Sequence, residues 1–182
     1  MTKIFIAGSR KISKLSAEVL QRLDEIVAKS LPVVIGDAAG VDKSVQLFLH
    51  GKNYRHVEVF CSGTRCRNNV GDWPTRQVAV NSSRRDFNFY ATKDVRMSEE
   101  ASFGLMIWDG ESAGTLMNVL RLIKRNKNVV VFEAPKRRFL ELKNESEWKD
   151  FFAACSDEVR LRIEKLSGVD SKVTEPLQAS LL

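Results

Sequence analysis

Cysteine, histidine and long apolar runs are scarce in this sequence, and each scarcity excludes a class of protein. The 182 residues include three cysteines and two histidines. The odd number of cysteines and the lack of paired spacing among Cys61, Cys66 and Cys155 predict no disulfide framework and a reducing compartment. The histidines, His50 and His56, form no metal-ligand pattern with the cysteines, so no metal site is predicted.

No segment approaches the length of a membrane span, and the apolar run that follows Lys3 is too short for the core of a signal peptide. We therefore expect a cytoplasmic protein without a membrane partner. Two nucleotide fingerprints are also missing: G-x-G-x-x-G does not follow the first apolar run, and G-x-x-x-x-G-K-[ST] occurs nowhere. NAD-dependent and P-loop chemistry are disfavoured, and no cofactor is predicted.

Charged residues, in contrast, are abundant and of both signs. Lys and Arg number 29 against 23 Asp and Glu, which gives a net charge of +6. Clustered basic residues would indicate nucleic acid, but here they are interleaved with acids, as in KRRFLELKNESEWKD. We therefore do not expect a nucleic-acid partner. A local excess of arginine between Arg65 and Arg85 fits a small anionic ligand as well as it fits DNA.

Short apolar runs alternate with helical periodicity along most of the chain. Five runs predict strands: KIFIA, PVVIG, HVEVF, FGLMIW and NVVVF. Helices are predicted between them over residues 16–29, 41–50, 81–101 and 115–125. Uniformly apolar strands that alternate with helices are typical of a parallel sheet covered on both faces. We predict an α/β fold: a single Rossmann-like doubly wound parallel sheet of about five strands with C-terminal helices.

The C-terminal part of the chain has a different pattern. Asn144 begins a capping-box signature for a helix on which Trp148, Phe151 and Phe152 share one face. A second short helix and a loose tail are predicted to follow. An exposed aromatic face of this kind predicts a homo-oligomer, most simply a dimer. The alternative is that the helix packs on its own sheet.

Three turns between a strand and the next helix are rich in small and acidic residues. They read GSR, GDAAGVD and DGESAGT, and they follow the first, second and fourth predicted strands. In a doubly wound sheet these turns meet at the carboxyl ends of the strands, where ligands bind. Their backbone N–H groups and helix dipoles favour an anion such as phosphate, to which Arg10, Ser112 and Thr115 add donors. Alternatively, the glycines serve backbone conformation alone and the polar residues cap helices.

The segments IFIAGSR, VVIGDAAGVD, RRDFNFYATKD and GLMIWDGESAGT resemble motifs of the SLOG superfamily and occur in the same order. This Rossmann-like group includes the DNA-processing protein DprA and the LOG cytokinin-activating phosphoribohydrolases. The resemblance spans residues 3–132, so we assign residues 1–135 to a SLOG-type nucleotide-binding domain and 136–182 to a C-terminal helical extension. It implies a pocket for a nucleotide or a nucleotide-derived ligand. The implied ligand residues are Gly8, Ser9, Arg10, Gly36, Asp37, Gly40, Asp42, Arg85, Gly110, Ser112, Gly114 and Thr115.

One departure concerns the phosphoribohydrolase pattern P-G-G-x-G-T-x-x-E, in which the last Glu is catalytic. Gly114 and Thr115 match its G-T pair. Glu111 and Ser112 replace the two preceding glycines, and Asn118 takes the place of the Glu. We count Asn118 among the ligand residues, because its amide can donate a hydrogen bond but cannot supply the negative charge that glycosidic cleavage requires.

Two functions from different classes remain open. The first is a binding module or sensor for a nucleotide-like ligand that is not turned over. The second is an N-glycosidase, phosphoribohydrolase or deoxyribosyltransferase-like enzyme, in which Glu111 or Asp109 assists departure of the base. We place the binding module first, because no carboxylate lies in a matched motif. Asp94 interrupts the apolar face of its helix, and it can be a buried structural carboxylate, a partner for an arginine, or a general acid or base.

Overall fold

A seven-stranded β-sheet forms the centre of the protein in a computed structural model that describes residues 2–80 and 87–174, with side chains as far as residue 168. The strands are β1 (Ile4–Gly8), β2 (Val33–Gly36), β3 (Val57–Ser62), β4 (Thr75–Val78), β5 (Phe103–Trp108), β6 (Val129–Glu133) and β7 (Arg138–Leu142). The helices are α1 (Ala17–Ala28), α2 (Val41–Gly51), α3 (Phe87–Glu100), α4 (Ala113–Ile123), α5 (Glu145–Ala153) and α6 (Asp157–Thr174).

The strand order is β4-β3-β2-β1-β5-β6-β7, and every neighbouring pair is parallel except β6 with β7. The predicted α/β, Rossmann-like doubly wound fold is confirmed. The predicted number of strands is too low, because β4 and β7 lack a uniform apolar run. β4 is an exposed edge strand with the polar sequence TRQV, and β7 is a half-exposed edge strand with the sequence RFLEL.

Side chains alternate between the two faces of the sheet and build two hydrophobic layers. On β1, Ile4 and Ile6 face a cluster with α1 and α2, whereas Phe5 and Ala7 face a cluster with α3, α4, α5 and α6. All four of these side chains are buried. The sheet is therefore covered on both faces, as its apolar strands predict.

The pairing of β1 with β5 places the first and fourth predicted strands side by side, with Ile4 opposite Phe103 and Gly8 opposite Ile107. A Cβ atom on Gly8 would lie 2.3 Å from the carbonyl oxygen of Ile107, so the close approach of the two strands requires glycine there. The turns after β1 and β5 consequently begin at the same edge of the sheet.

The aromatic face of α5 packs on the chain's own core. Asn144 caps the helix by accepting a hydrogen bond from the Glu147 N–H at 2.9 Å, as the capping signature predicts. Trp148 is buried, the Phe151 ring lies 5.6 Å from the Trp108 ring, and Phe152 stacks on Trp148. These aromatic residues therefore do not indicate an interface, and the oligomeric state stays a prediction.

The division of the chain at residue 135 also stays a prediction. Residues beyond it supply β7 to the sheet, and α6 contacts α3 and α4. The longest described helix, α6, has 18 residues, and no helix among the described residues has the length and apolar character needed to cross a membrane.

Candidate functional site

Hydrogen bonds tie the three predicted turns to one another at the carboxyl ends of β1, β2 and β5. Ser9 Oγ donates to Asp109 Oδ2 at 2.5 Å, and the Ser9 N–H donates to the Ile107 carbonyl at 3.0 Å. The Ser9 carbonyl accepts from the Val41 N–H at 3.1 Å. Gly40 has a φ of +74°, and a Cβ there would come within 2.5 Å of the Arg10 backbone. The turns therefore converge, as the doubly wound order predicts.

A cavity of about 540 Å³, which we call the strand-end cavity, opens between these turns. Ten of the predicted site residues line it: Gly8, Ser9, Arg10, Asp42, Asp109, Glu111, Ser112, Gly114, Thr115 and Asn118. The other side chains and backbone around it come from Ala7, Lys11, Ala38, Arg67, Phe87, Tyr90, Ala91, Lys93, Asp94 and Arg162. Its volume is within the range of small-molecule sites.

Four predicted ligand residues lie outside the lining of the cavity. Gly36 leaves room behind it for buried charges, since a Cβ there would lie 2.5 Å from Asp42 Oδ2. Gly40 and Gly110 have positive φ angles, which glycine adopts without strain. The Asp37 carboxylate accepts a hydrogen bond from Arg67, in the loop after β3. The structure gives each of these four residues a structural role, and their contact with a ligand stays a prediction. The remaining predicted residue, Arg85, lies outside the described residues.

The N-terminus of α4 faces the strand-end cavity through Gly114. A Cβ on Gly114 would meet no atom within 4 Å. Ser112, at the N-cap, makes no side-chain cap, and Thr115 Oγ1 donates to Ser112 Oγ at 3.1 Å. Within the described part of the chain, the N–H groups of residues 113–115 have no partner. This helix end can therefore offer several backbone donors to an anion.

Asp109, one of the two predicted catalytic acids, is engaged in holding the turn. Its Oδ1 accepts from the N–H groups of Glu111 and Ser112 at 3.0 and 2.7 Å, and its Oδ2 accepts from Ser9 Oγ. Burial alone would raise the pKa of Asp109, but these hydrogen bonds outweigh burial and lower it. The ionised carboxylate of Asp109 therefore stabilises the turn through these hydrogen bonds.

Glu111, the other predicted catalytic acid, stands at the rim of the cavity. Its side chain is 68% exposed and pairs with Lys11 Nζ at 2.7 Å. This ion pair joins the turn after β1 to the turn after β5. Neither predicted acid is a free carboxylate within the cavity.

A buried polar network forms the floor of the cavity. Lys93 Nζ donates to Asp94 Oδ1 at 2.6 Å, and Asn118 Nδ2 donates to Asp94 Oδ2 at 3.3 Å. Arg121 Nη1 donates to Asn118 Oδ1 at 2.5 Å. Asp94 therefore combines two of the predicted alternatives, a structural carboxylate and a partner for cations. Asn118 is held between Asp94 and Arg121, which fixes the orientation of its amide.

Asp42 lies on the first turn of α2, and its carboxyl group has the most strongly shifted pKa of the acids in this network. Burial raises its pKa to about 6, the charge of Lys93 opposes the rise, and the charge of Asp94 adds to it. Lys93 is also buried, and burial works against its charge, but Asp94 and Asp42 outweigh burial and raise its pKa. Lys93 is therefore a cation at neutral pH.

The residue pattern did not single out Arg67 and Tyr90, which form one wall of the cavity. Arg67 donates to Asp37 from Nη2 at 2.5 Å and from Nε at 3.1 Å. Its guanidinium lies 4.4 Å from the centre of the Tyr90 ring, and that of Arg10 lies 5.3 Å from it. The only sequence signal was the local excess of arginine, which did not specify a residue.

The loop that carries Arg67 is closed by a disulfide between Cys61 and Cys66, whose Cα atoms are 5.1 Å apart. The expectation of unpaired cysteines is therefore wrong for these two residues, and Cys155 is free. The spacing was uninformative because the chain folds back after β3, where Gly63 adopts a φ of +78°. The bond fixes the start of the loop directly before Arg67.

Fold and cavity together define a Rossmann-like α/β protein with a ligand-sized site at the carboxyl ends of its parallel strands. No protein-family model and no curated protein matches the sequence. Among solved structures, the fold is similar to that of DNA processing protein A from Helicobacter pylori, a structure that describes how that protein binds single-stranded DNA. The TM-score is 0.55 at 12% identity, over 92% of this chain and 81% of that one.

A structural-genomics target, TM1055, is similar over 94% of this chain and 99% of its own, with a TM-score of 0.57 at 16% identity. Both likenesses concern the fold. They agree with the Rossmann-like fold that the resemblance to the SLOG superfamily implies.

Proposed function

We propose that this protein is a binding module or sensor for a nucleotide or a nucleotide-derived ligand, which it holds in the strand-end cavity. The observation that carries the proposal is that a single cavity combines an uncapped helix N-terminus with an aromatic ring flanked by two guanidinium groups. A phosphate suits the helix end, and a planar base suits the ring and the guanidinium planes.

The floor of the cavity suits the polar middle of such a ligand. Asp94 and Asn118 line the cavity and are fixed by hydrogen bonds to Lys93 and Arg121. Oriented carboxylate and amide groups can bind sugar hydroxyls without further ordering of side chains. In this arrangement Gly8, Ser9, Arg10, Ser112, Gly114 and Thr115 surround the phosphate end.

The alternative function is an N-glycosidase or transferase that acts on nucleosides or their monophosphates. It needs a carboxylate near the sugar, because the transition state is positively charged there. Asp109 is bound by the turn and Glu111 is paired with Lys11 at the rim. We therefore place the sensor first and expect weak or no release of free base from nucleoside monophosphates.

The proposed function can be examined by native mass spectrometry of the purified protein, which reveals a ligand that is retained. Thermal unfolding should follow with a panel of nucleoside monophosphates, because a ligand at a hundred times its dissociation constant stabilises a fold by about 2.7 kcal/mol. Chromatography of the same mixtures measures release of the base. Rapid release that survives Asn118→Ala would favour the enzyme, and a panel without any binding would remove both nucleotide functions.

Arg10→Ala should weaken binding of AMP about tenfold, or about 1.4 kcal/mol. The guanidinium of Arg10 is exposed at the cavity and makes no ion pair with a described residue, so an anionic ligand would be its partner. Isothermal titration calorimetry measures the change. Lys14→Ala is the matched control, since Lys14 is exposed nearby but does not line the cavity. Unchanged affinity in a folded Arg10→Ala protein would contradict the assignment.

We further propose a cytoplasmic protein that forms a homo-oligomer, most simply a dimer. Sedimentation velocity at micromolar concentration gives the mass directly, and a single species at 20.6 kDa would contradict the dimer. We do not propose a nucleic-acid partner, because basic and acidic residues are interleaved along the chain. A single-stranded oligonucleotide belongs in the binding panel, since the similar fold of DNA processing protein A is associated with binding of single-stranded DNA.

A further inference from the structure

The charges that line the strand-end cavity are divided between its floor and its mouth. On the floor, the carboxylates of Asp42 and Asp94 face one cation, Lys93. At the mouth, three cations, Arg10, Lys11 and Arg162, outnumber two acids, Glu111 and the hydrogen-bonded Asp109. An anionic group of a ligand is therefore favoured at the mouth and disfavoured at the floor.

The pairing of Lys11 with Glu111 leaves two positive charges at the mouth without an ionic partner. The two paired side chains are 73% and 68% exposed, and their charges neutralise each other across the rim. Among the described residues, neither Arg10 nor Arg162 makes an ion pair. The excess of positive charge is thus local to the two arginines.

Arg162 reaches the cavity from α6, which lies outside the part of the chain that resembles the SLOG superfamily. Val159 and Ile163, each 3% exposed, anchor this helix in the core, and α6 contacts both α3 and α4. Glu111 raises the pKa of Lys11 through a hydrogen bond and its charge, and the charge of Arg162 acts against that rise. Arg162 is therefore within electrostatic reach of the rim formed by Lys11 and Glu111.

We propose that the mouth of the strand-end cavity is a second anion subsite, in which Arg162 binds the terminal phosphate of a nucleoside diphosphate beside Arg10, which contacts the first phosphate. The inference rests on the proposed function, which places the first phosphate at the N-terminus of α4. The first phosphate is bound there by backbone N–H groups and by Arg10, and a second phosphate matches Arg162, which lacks an ionic partner. The C-terminal extension thereby determines how many phosphates the ligand carries.

The decisive comparison is the affinity of wild type and Arg162→Ala for AMP and for ADP, measured by isothermal titration calorimetry. Wild type should bind ADP more tightly than AMP, and Arg162→Ala should weaken ADP binding about tenfold while AMP changes about twofold or less. Arg162→Lys should retain most of the preference for ADP, because the positive charge is kept. Lys165→Ala is the matched control: it removes an exposed charge from the same helix, outside the cavity, and should leave both affinities unchanged.

Two further outcomes separate this subsite from the proposed function. Equal affinity of wild type for AMP and ADP, or an equal loss of both in Arg162→Ala, would overturn the subsite and leave nucleotide binding intact. If wild type binds neither nucleotide, thermal unfolding with pyrophosphate and with phosphate decides. Stabilisation by pyrophosphate that depends on Arg162 would support the subsite without the nucleotide, and no stabilisation would overturn both.

Discussion

Gly114→Val should raise the dissociation constant for AMP at least a hundredfold, or about 2.8 kcal/mol, while the protein stays folded. Gly114 is at the first turn of α4, and a Cβ there would meet no protein atom within 4 Å. The isopropyl group would therefore extend into the strand-end cavity and occupy the space in which the phosphate approaches the N–H groups. Calorimetric titration with AMP gives the affinity, and urea unfolding gives the stability.

Gly51→Val is the matched control for this steric effect. Gly51 also has open space at its Cβ position, but it ends α2 and does not line the cavity. It should leave AMP binding unchanged. The change in helix propensity from glycine to valine is a few tenths of a kcal/mol, so both proteins should unfold within about 0.5 kcal/mol of wild type. Wild-type affinity in folded Gly114→Val would show that the ligand is elsewhere.

Asp42→Asn should gain stability relative to wild type as the pH rises from 4 to 7. Burial holds the pKa of Asp42 at about 6, above its ordinary value of 3.8, so between these values the folded state binds a proton that the unfolded state releases. Wild type therefore loses stability from this group as the pH rises, and the loss levels off above about pH 6. The full difference is roughly 3 kcal/mol, and Asn cannot ionise. Urea unfolding across this range measures it.

Asp109→Asn should show the opposite dependence of stability on pH, because the pKa of Asp109 is lowered and that of Asp42 is raised. Hydrogen bonds from Ser9 and from the turn lower the pKa of Asp109, against the effect of burial. The stability that this carboxylate contributes is present above its unfolded pKa and is lost as the pH falls through the folded pKa. The advantage of wild type over Asp109→Asn should thus shrink in acid. Parallel pH profiles for Asp42→Asn and wild type would contradict the assignment of a raised pKa to Asp42.

Local sequence determined most of the elements and the place of the site. The runs IFIAG, VVIG and FGLMIW are apolar at every side-chain position except their glycines. Such runs predict strands that are buried on both faces of a sheet. The small and polar turns that follow them indicated the edge of the sheet at which a ligand can bind. Both inferences depend on residues that are neighbours in the chain, and for that reason periodicity and turn composition were sufficient.

Contacts between distant parts of the chain determined the edge strand β4 and the partners of the polar residues in the site, which the sequence did not predict. The strand β4 has no apolar run, and it pairs with β3 because that strand offers its free N–H and C=O groups. Asp37 meets Arg67 thirty residues away, and Ser9 meets Asp109 a hundred residues away. Such ion pairs and hydrogen bonds leave no periodic signal, because one charged residue resembles another until folding brings a particular partner to it. The same holds for Arg162, whose helix reaches the cavity only once its apolar side has packed on α3 and α4.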